Sequence, residues 1–241
     1  MNDVRLQPKT RRWLTMRRLL WGVGGIAAGG LCILLILLYF AYRQGRIEQE
    51  VVADLLSKSP GGSAQVDDRP GWRTRLYETL GIPRPVTALF LAGKQINDHD
   101  LTKLESLSEL RLLSLDQCSI TDEGVREIVR VPTLESLSLL GCDDITDRSL
   151  SYLGTLESLT TLNICTFRAQ ISSRNIHCLS ALPSLEILDV GSCPGISDDA
   201  VEPLASLSHL VNLDIRGTSI SEEAAKRLGR ALPNTIVLTD Y

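Results

Sequence analysis

From Val86 to the end of the chain, apolar positions follow two alternating rhythms. A short stretch alternates apolar and polar residues with period two, as in Leu113-Ser114-Leu115, and predicts a strand with one face turned inward. The stretch that follows spaces its apolar residues by three and four, as in Val125, Ile128 and Val129, and predicts a helix. This pair of elements recurs six times. LRLLSLDQCSITDEGVREI starts at Leu110, LESLSLLGCDDITDRSLSYL at Leu134, LEILDVGSCPGISDDAVEPL at Leu185 and LVNLDIRGTSISEEAAKRL at Leu210. VTALFLAGKQINDHDLTKL from Val86 and LTTLNICTFRAQISSRNIHCL from Leu159 are looser copies. The central leucines, Leu89, Leu113, Leu137, Leu162, Leu188 and Leu213, are separated by 24, 24, 25, 26 and 25 residues. No unit of this size buries its apolar face alone, so each must stack on its neighbours. The expected architecture is a parallel sheet on a concave side with helices on the convex side.

Local signals support that reading. Thr121, Thr146, Ser197 and Ser221 suit helix N-caps, and Asp122, Asp147, Asp198 and Glu222 follow where negative charge meets the helix dipole. Pro132, Pro183 and Pro233 stop the helices before the next strand. The last residues, Thr235 to Tyr241, are too few for another unit and predict a closing strand.

Ahead of the repeats the pattern changes. Leu19 to Tyr42 contains no charged residue over 24 positions. A bilayer core takes about 20 apolar helical residues, so 19–42 predicts a single membrane span. The run is longer than a signal-peptide core and lacks a small-x-small cleavage site, which favours an uncleaved signal anchor. Arg5, Lys9, Arg11, Arg12, Arg17 and Arg18 precede it, placing residues 1–18 in the cytoplasm as a basic tail and the repeats outside. Gly22, Gly24, Gly25, Gly29 and Gly30 offer a surface for helix–helix association within the bilayer. Residues 43–69 read as a short juxtamembrane helix and a linker, broken by Pro60, Gly61 and Gly62. In residues 70–85, Trp72, Leu76 and Leu80 fall four apart on one helical face. This segment is the expected N-terminal cap for the repeat domain, 86–241.

Charge sharpens the division. Residues 1–85 carry 13 Lys and Arg against 7 Asp and Glu, whereas residues 86–241 carry 12 against 22. An acidic repeat surface excludes nucleic-acid binding, which needs clustered cations. The six cysteines form no CxxC, and the three histidines are scattered, so no metal site or cofactor is expected. Cys118, Cys142 and Cys193 share one repeat position and read as small buried side chains; Cys178 reads as core. Cys165 falls at an outward strand position. His177 and Cys178 are adjacent, and neighbouring residues on a helix do not face each other. No nucleophile with a base and no phosphate-cradling loop appears, so an enzyme is not expected.

The repeat unit resembles the cysteine-containing class of leucine-rich repeats, whose strand is followed by C-x-x-[IL]-[TS]-D-x-[GA]-[LIV]. The resemblance covers roughly residues 86–238. The layout of basic tail, span, connector and six repeats resembles bacterial membrane-anchored repeat proteins. It implies an α/β leucine-rich-repeat solenoid behind one transmembrane helix, and a scaffold that binds a protein or peptide rather than a catalyst. Outward positions on adjacent strands lie about 4.8 Å apart. The expected partner-binding residues on the concave face are Phe90, Leu112, Ser114, Asp116, Ser138, Leu140, Asn163, Cys165, Ile187, Asp189, Asp214 and Arg216. Apolar anchors among polar neighbours are how interfaces are built. The rival reading is a structural envelope protein that self-assembles without a discrete ligand.

Overall fold

A computed structural model describes residues 10–67, 71–165 and 170–241, with the side chains of 10–30 outside the description. The chain divides into two compact units, Met1–Gly45 and Arg46–Tyr241. A single helix, α1 (Thr10–Ser57), runs unbroken through the expected boundary between span and juxtamembrane helix. Among the described residues no helix is long and apolar enough to cross a membrane. The first twelve positions of the uncharged run, 19–30, fall where side chains are not described, as does the whole of the expected glycine surface.

In the second unit, eight strands form one sheet in strict sequence order. They are β1 (Ser63–Val66), β2 (Val86–Ala92), β3 (Leu112–Asp116), β4 (Ser136–Ser138), β5 (Thr161–Asn163), β6 (Ile187–Asp189), β7 (Asn212–Asp214) and β8 (Ile236–Leu238). From β2 to β8 every pair is parallel, and the register aligns Leu89, Leu113, Leu137, Leu162, Leu188, Leu213 and Val237. The six leucines of that row are completely buried. The parallel order follows from the repeat: each strand returns through a helical segment on the same side, so successive strands run the same way. The closing strand expected in Thr235–Tyr241 forms as β8.

The returning segments vary more than the strands. They include α3 (Asp98–Leu101), α4 (Asp122–Ile128), α5 (Asp147–Leu153), α6 (Val201–Ala205) and α7 (Glu222–Ala231). The fourth repeat uses a 3-10 helix, Ser173–Ala181, in place of an α-helix. Thr121, Thr146 and Ser221 cap their helices as the sequence predicts. Ser197 makes no such cap; its backbone N–H and hydroxyl face Ser173 instead.

The acidic residue after each cap does more than meet a dipole. Asp98 accepts from the N–H (2.8 Å) and hydroxyl (2.7 Å) of Thr121, the cap of the next repeat. Asp122 treats Thr146 the same way, at 2.9 and 2.7 Å. Asp147 holds Ser172, and Asp198 holds Ser221. These clamps form a second ladder joining repeats along the helix entrances. Burial pushes the Asp122 carboxyl up, but hydrogen bonds from Ser149 and Thr146 and the charge of Arg148 outweigh it and hold the carboxyl below its ordinary range. One rung differs: Ser173 stands where the others have Asp.

The N-terminal edge is covered by a device the sequence did not reveal. β1 pairs antiparallel with β2, and the end of α1 packs Val52 and Leu55 into the core. Glu48, only 1% exposed, accepts from the N–H of Val86 at 3.2 Å and from the hydroxyl of Ser108 at 2.8 Å. At the far end of β2, the Ser59 hydroxyl accepts from the N–H of Ala92 at 2.6 Å and donates to its carbonyl at 3.1 Å. Gly62 is needed beside it, because a Cβ there would lie 2.9 Å from the Phe90 carbonyl oxygen. The segment expected to be the cap does form a helix, α2 (Trp72–Leu80), but that helix buries none of its residues; within 70–85 the buried positions are Ile82 and Pro85, after its end. Trp72 is 75% exposed, with Leu76 and Leu80 also open. Closing the apolar edge therefore falls to residues 46–66. The reason is geometric: β1 sits beside β2 and supplies the missing backbone partners, which a helix cannot do.

Candidate functional site

The outward positions of the sheet fall where the alternation puts them. Phe90, Leu112, Ser114, Asp116, Ser138, Asn163 and Asp214 are half-buried between neighbouring strands, and Leu140 and Ile187 are exposed. Among the twelve expected residues, four come together. Cys165, Asp189, Asp214 and Arg216 line a cleft of about 400 Å³ just past the C-terminal ends of β5, β6 and β7. Gly191, Ser192, Gly217 and Asp240 complete it. The other eight lie on the same sheet face outside this cleft.

The cleft arises from how the strands end. At one repeat position Asn163, Asp189 and Asp214 each turn the side chain back onto the N–H two residues later. The acceptor–donor distances are 2.9 Å to Cys165, 2.8 Å to Gly191 and 3.0 Å to Arg216. This side-chain turn is an Asx motif that ends the strand and fixes the carboxylate direction. After it the backbone enters the left-handed region, at Ser192 (φ 56°) and Gly217 (φ 68°). The Asp240 carboxylate accepts from the N–H of Gly217 at 2.6 Å and closes the C-terminal side.

Electrostatics differ between the two strand carboxylates. Arg216 contacts Asp214 through Nε at 3.0 and 3.1 Å and through Nη2 at 2.5 Å. That hydrogen bond holds Asp214 below its ordinary range, against the opposing effect of burial. Asp189 is pushed up, by burial first and by the charge of Asp214. The Cys165 thiol is also pushed up by burial and by both acids, so it is not a reactive thiolate. The cleft thus presents partly compensated negative charge with one cation, Arg216, paired to Asp214 at its rim, and suits a cationic side chain with hydrogen-bond donors.

The remaining cysteines sort clearly. Cys118, Cys142 and Cys193 are buried, and their thiols face the carbonyls of Leu91, Leu115 and Ile164 in the preceding repeat. The small-buried reading is the one the structure bears out. Cys178 departs from expectation: it is half-buried at the surface rather than core. Phe167, at the same repeat position as these cysteines, lies outside the described residues. Among the described residues no group of three or more His, Cys, Asp or Glu is placed to hold a metal ion.

Gly191 shares the outward repeat position of Cys165 and Arg216, whereas sequence reasoning missed Ser192, Gly217 and Asp240. Ser192 and Gly217 follow that position, where alternation no longer assigns a face. Asp240 lies in the closing segment, whose role depends on β8 pairing with β7.

Comparison with known proteins agrees with the repeat architecture. The leucine-rich-repeat family model matches residues 101–129 and 181–205. The Caenorhabditis elegans protein named "Putative RNA-binding protein EEED8.10" is 25% identical over 147 residues, covering 58% of this chain and 20% of that protein. The chain therefore spans about a fifth of that relative's length. Among solved structures, an internalin from Listeria monocytogenes is 32% identical over 57% of this chain and 36% of its own, with a TM-score of 0.46. The yeast Rad7 and Elc1 complex matches at 26% identity over 60% of this chain and 39% of its own, with a TM-score of 0.49. Two segments of the stack of parallel strands, 101–129 and 181–205, are thus similar to leucine-rich repeats.

Proposed function

We propose that this chain is a membrane-anchored scaffold that captures a protein or peptide on the open face of its sheet, without catalysis. The observation that carries the proposal is the cleft at the ends of β5 to β7. Four residues from outward strand positions, Cys165, Asp189, Asp214 and Arg216, converge there around a volume large enough for a long side chain. An Arg or Lys of the partner fits that charge, and exposed Leu140 and Ile187 on the same face supply apolar contact. Anchoring rests on the uncharged run 19–42 and the cations that precede it, which favour the tail in the cytoplasm and the repeats outside. RNA binding, named for the nematode relative, finds no support in a repeat region carrying 22 acids against 12 bases.

The test uses a panel of short peptides of basic, neutral and acidic composition, with binding to the full chain read by fluorescence anisotropy. Basic peptides are expected to bind. Asp189→Asn combined with Asp214→Asn is expected to weaken them by about tenfold or more, roughly 1.4 kcal/mol. Equal binding of all three classes, or binding untouched by the double substitution, overturns the cleft as the docking point. Extraction of native membranes at high pH checks anchoring separately: release of the chain with peripheral proteins rejects the span.

A further inference from the structure

The 3-10 helix Ser173–Ala181 brings a thiol against an imidazole. Nδ1 of His177 lies 3.0 Å from the carbonyl oxygen of Arg174. A carbonyl only accepts, so this contact puts the ring proton on Nδ1 and leaves Nε2 as an acceptor. Nε2 faces Sγ of Cys178 at 3.7 Å. On its other side the sulfur meets the hydroxyl of Ser151, from α5, also at 3.7 Å. The expectation that adjacent helical residues point apart fails here. Tethering of the ring to the carbonyl of Arg174 swings Nε2 across to the neighbouring sulfur. His177 is exposed and Cys178 half-buried, so both groups are within reach of a small solute.

The other thiols of the repeat domain lack one half of this pairing. Cys118, Cys142 and Cys193 are buried, and burial pushes Cys118 and Cys142 up to about 12. Cys165 is reachable, but Asp189 and Asp214 oppose its ionisation. Cys178 combines access with a neighbouring ring nitrogen whose orientation is set by a third group, the carbonyl of Arg174.

We propose that Cys178 is a site of reversible thiolation by small disulfides, with His177 as its base. Nε2 of His177 takes the thiol proton, and the sulfur attacks one sulfur of the disulfide. A new S–S bond forms at Cys178 while the S–S bond of the reagent breaks. The departing sulfur leaves with that electron pair and takes up the proton from His177. Cys178 is oxidised and half of the reagent is reduced to a free thiol. An added small thiol reverses the exchange by the same route.

The full chain is incubated with limiting oxidised glutathione, and each cysteine is followed by mass spectrometry. Cys178 is expected to be modified at least about tenfold faster than Cys165, a modest share of what a positioned base supplies. His177→Asn, which keeps a donor for the Arg174 carbonyl but offers no base, is expected to bring Cys178 down to the rate of Cys165 and leave Cys165 unchanged. Cys178→Ser removes the fast phase. Comparable rates at Cys178 and Cys165 in the native chain, or a Cys178 rate unaffected by His177→Asn, overturn the proposal. Neither outcome bears on peptide binding at the distant cleft residues, which is read independently.

Discussion

Asp189 and Asp214 hold the same place in adjacent repeats, side by side in the register of β6 and β7, yet their surroundings push them in opposite directions. Arg216 reaches only Asp214 with its hydrogen bonds. Asp214 therefore has a lowered folded pKa. Its contribution to stability is present above the unfolded value, 3.8, and is lost as pH falls through the lower folded value. Asp189 has a raised folded pKa, so its charge costs stability near neutrality, and that cost disappears as pH falls through the raised value. Asp189→Asn, which keeps the oxygen that accepts from Gly191, is expected to melt above the native chain at pH 7, with the gap closing on acidification. Asp214→Asn is expected to melt below it. Thermal melts across a pH series check both signs; a lower melting point for Asp189→Asn at pH 7 contradicts the burial argument. A residue kept at a cost to the fold is what a binding position looks like. The outward placement of both acids was legible from strand alternation. Their unequal charge environment was not, because it depends on the rotamer of Arg216 and on how far the strand ends curve together.

Among the elements, the Asp clamps turn a helix-start signal into a bond between repeats. The pattern of Ser or Thr followed by Asp or Glu was legible, and it placed the helix starts after Thr121, Thr146, Ser197 and Ser221. That the carboxylate reaches forward to the next cap became visible only with the repeats stacked, since the two residues lie 23 to 25 positions apart. The same packing explains the small residue two places after the Asp: a Cβ on Gly124 would lie 2.3 Å from the Asp98 carboxylate, and Ser149 instead donates to Asp122. Between the fourth and fifth repeats the rung is a hydroxyl, with Ser173 Oγ accepting from the N–H of Ser197 at 2.9 Å. A cleft of about 470 Å³ lies at this rung, lined by Ser172, Ser173 and Ser197 among others. Ser173→Asp rebuilds the rung found elsewhere, one carboxylate accepting from both the N–H and the hydroxyl of Ser197. A charge-assisted pair at a half-exposed site is worth about 1 kcal/mol. For a domain of this size that raises the melting temperature by roughly 2–4 °C. Calorimetry of the full chain checks it, and no gain or a loss shows that this interface is held by other means. Asp122 and Asp198 both have lowered folded pKa values, so clamp stability is present above the unfolded value and fades in acid as each carboxyl protonates.

A stack of repeats is only as stable as its ends, because an open strand edge leaves backbone groups unpaired and apolar residues wet. The apolar spacing of Trp72, Leu76 and Leu80 matches what a packed cap would show, and the sequence offers no way to tell a covered face from an open one. The true cover, β1, alternates polar and apolar residues over only four positions, Ser63-Ala64-Gln65-Val66, too short a run to mark a strand, and Glu48 would count as a surface residue on any hydropathy scale. The two assignments make opposite demands on stability. If residues 46–66 close the domain, Leu55, which is fully buried, carries a large share: Leu55→Ala should cost roughly 2–5 kcal/mol. Glu48→Ala leaves the N–H of Val86 without its carboxylate partner inside the core and should cost about 1–3 kcal/mol. Trp72→Ala removes a side chain that is three-quarters exposed and should stay within about 0.5 kcal/mol of the native chain. Urea titrations of the three variants decide between the assignments. A large loss from Trp72→Ala with little from Leu55→Ala would return the capping role to α2. The expected order, Leu55 and Glu48 well above Trp72, means that the helix entering the repeat domain is part of its folding unit. A chain cut between β1 and the first repeat then loses the partner that holds β2 in place.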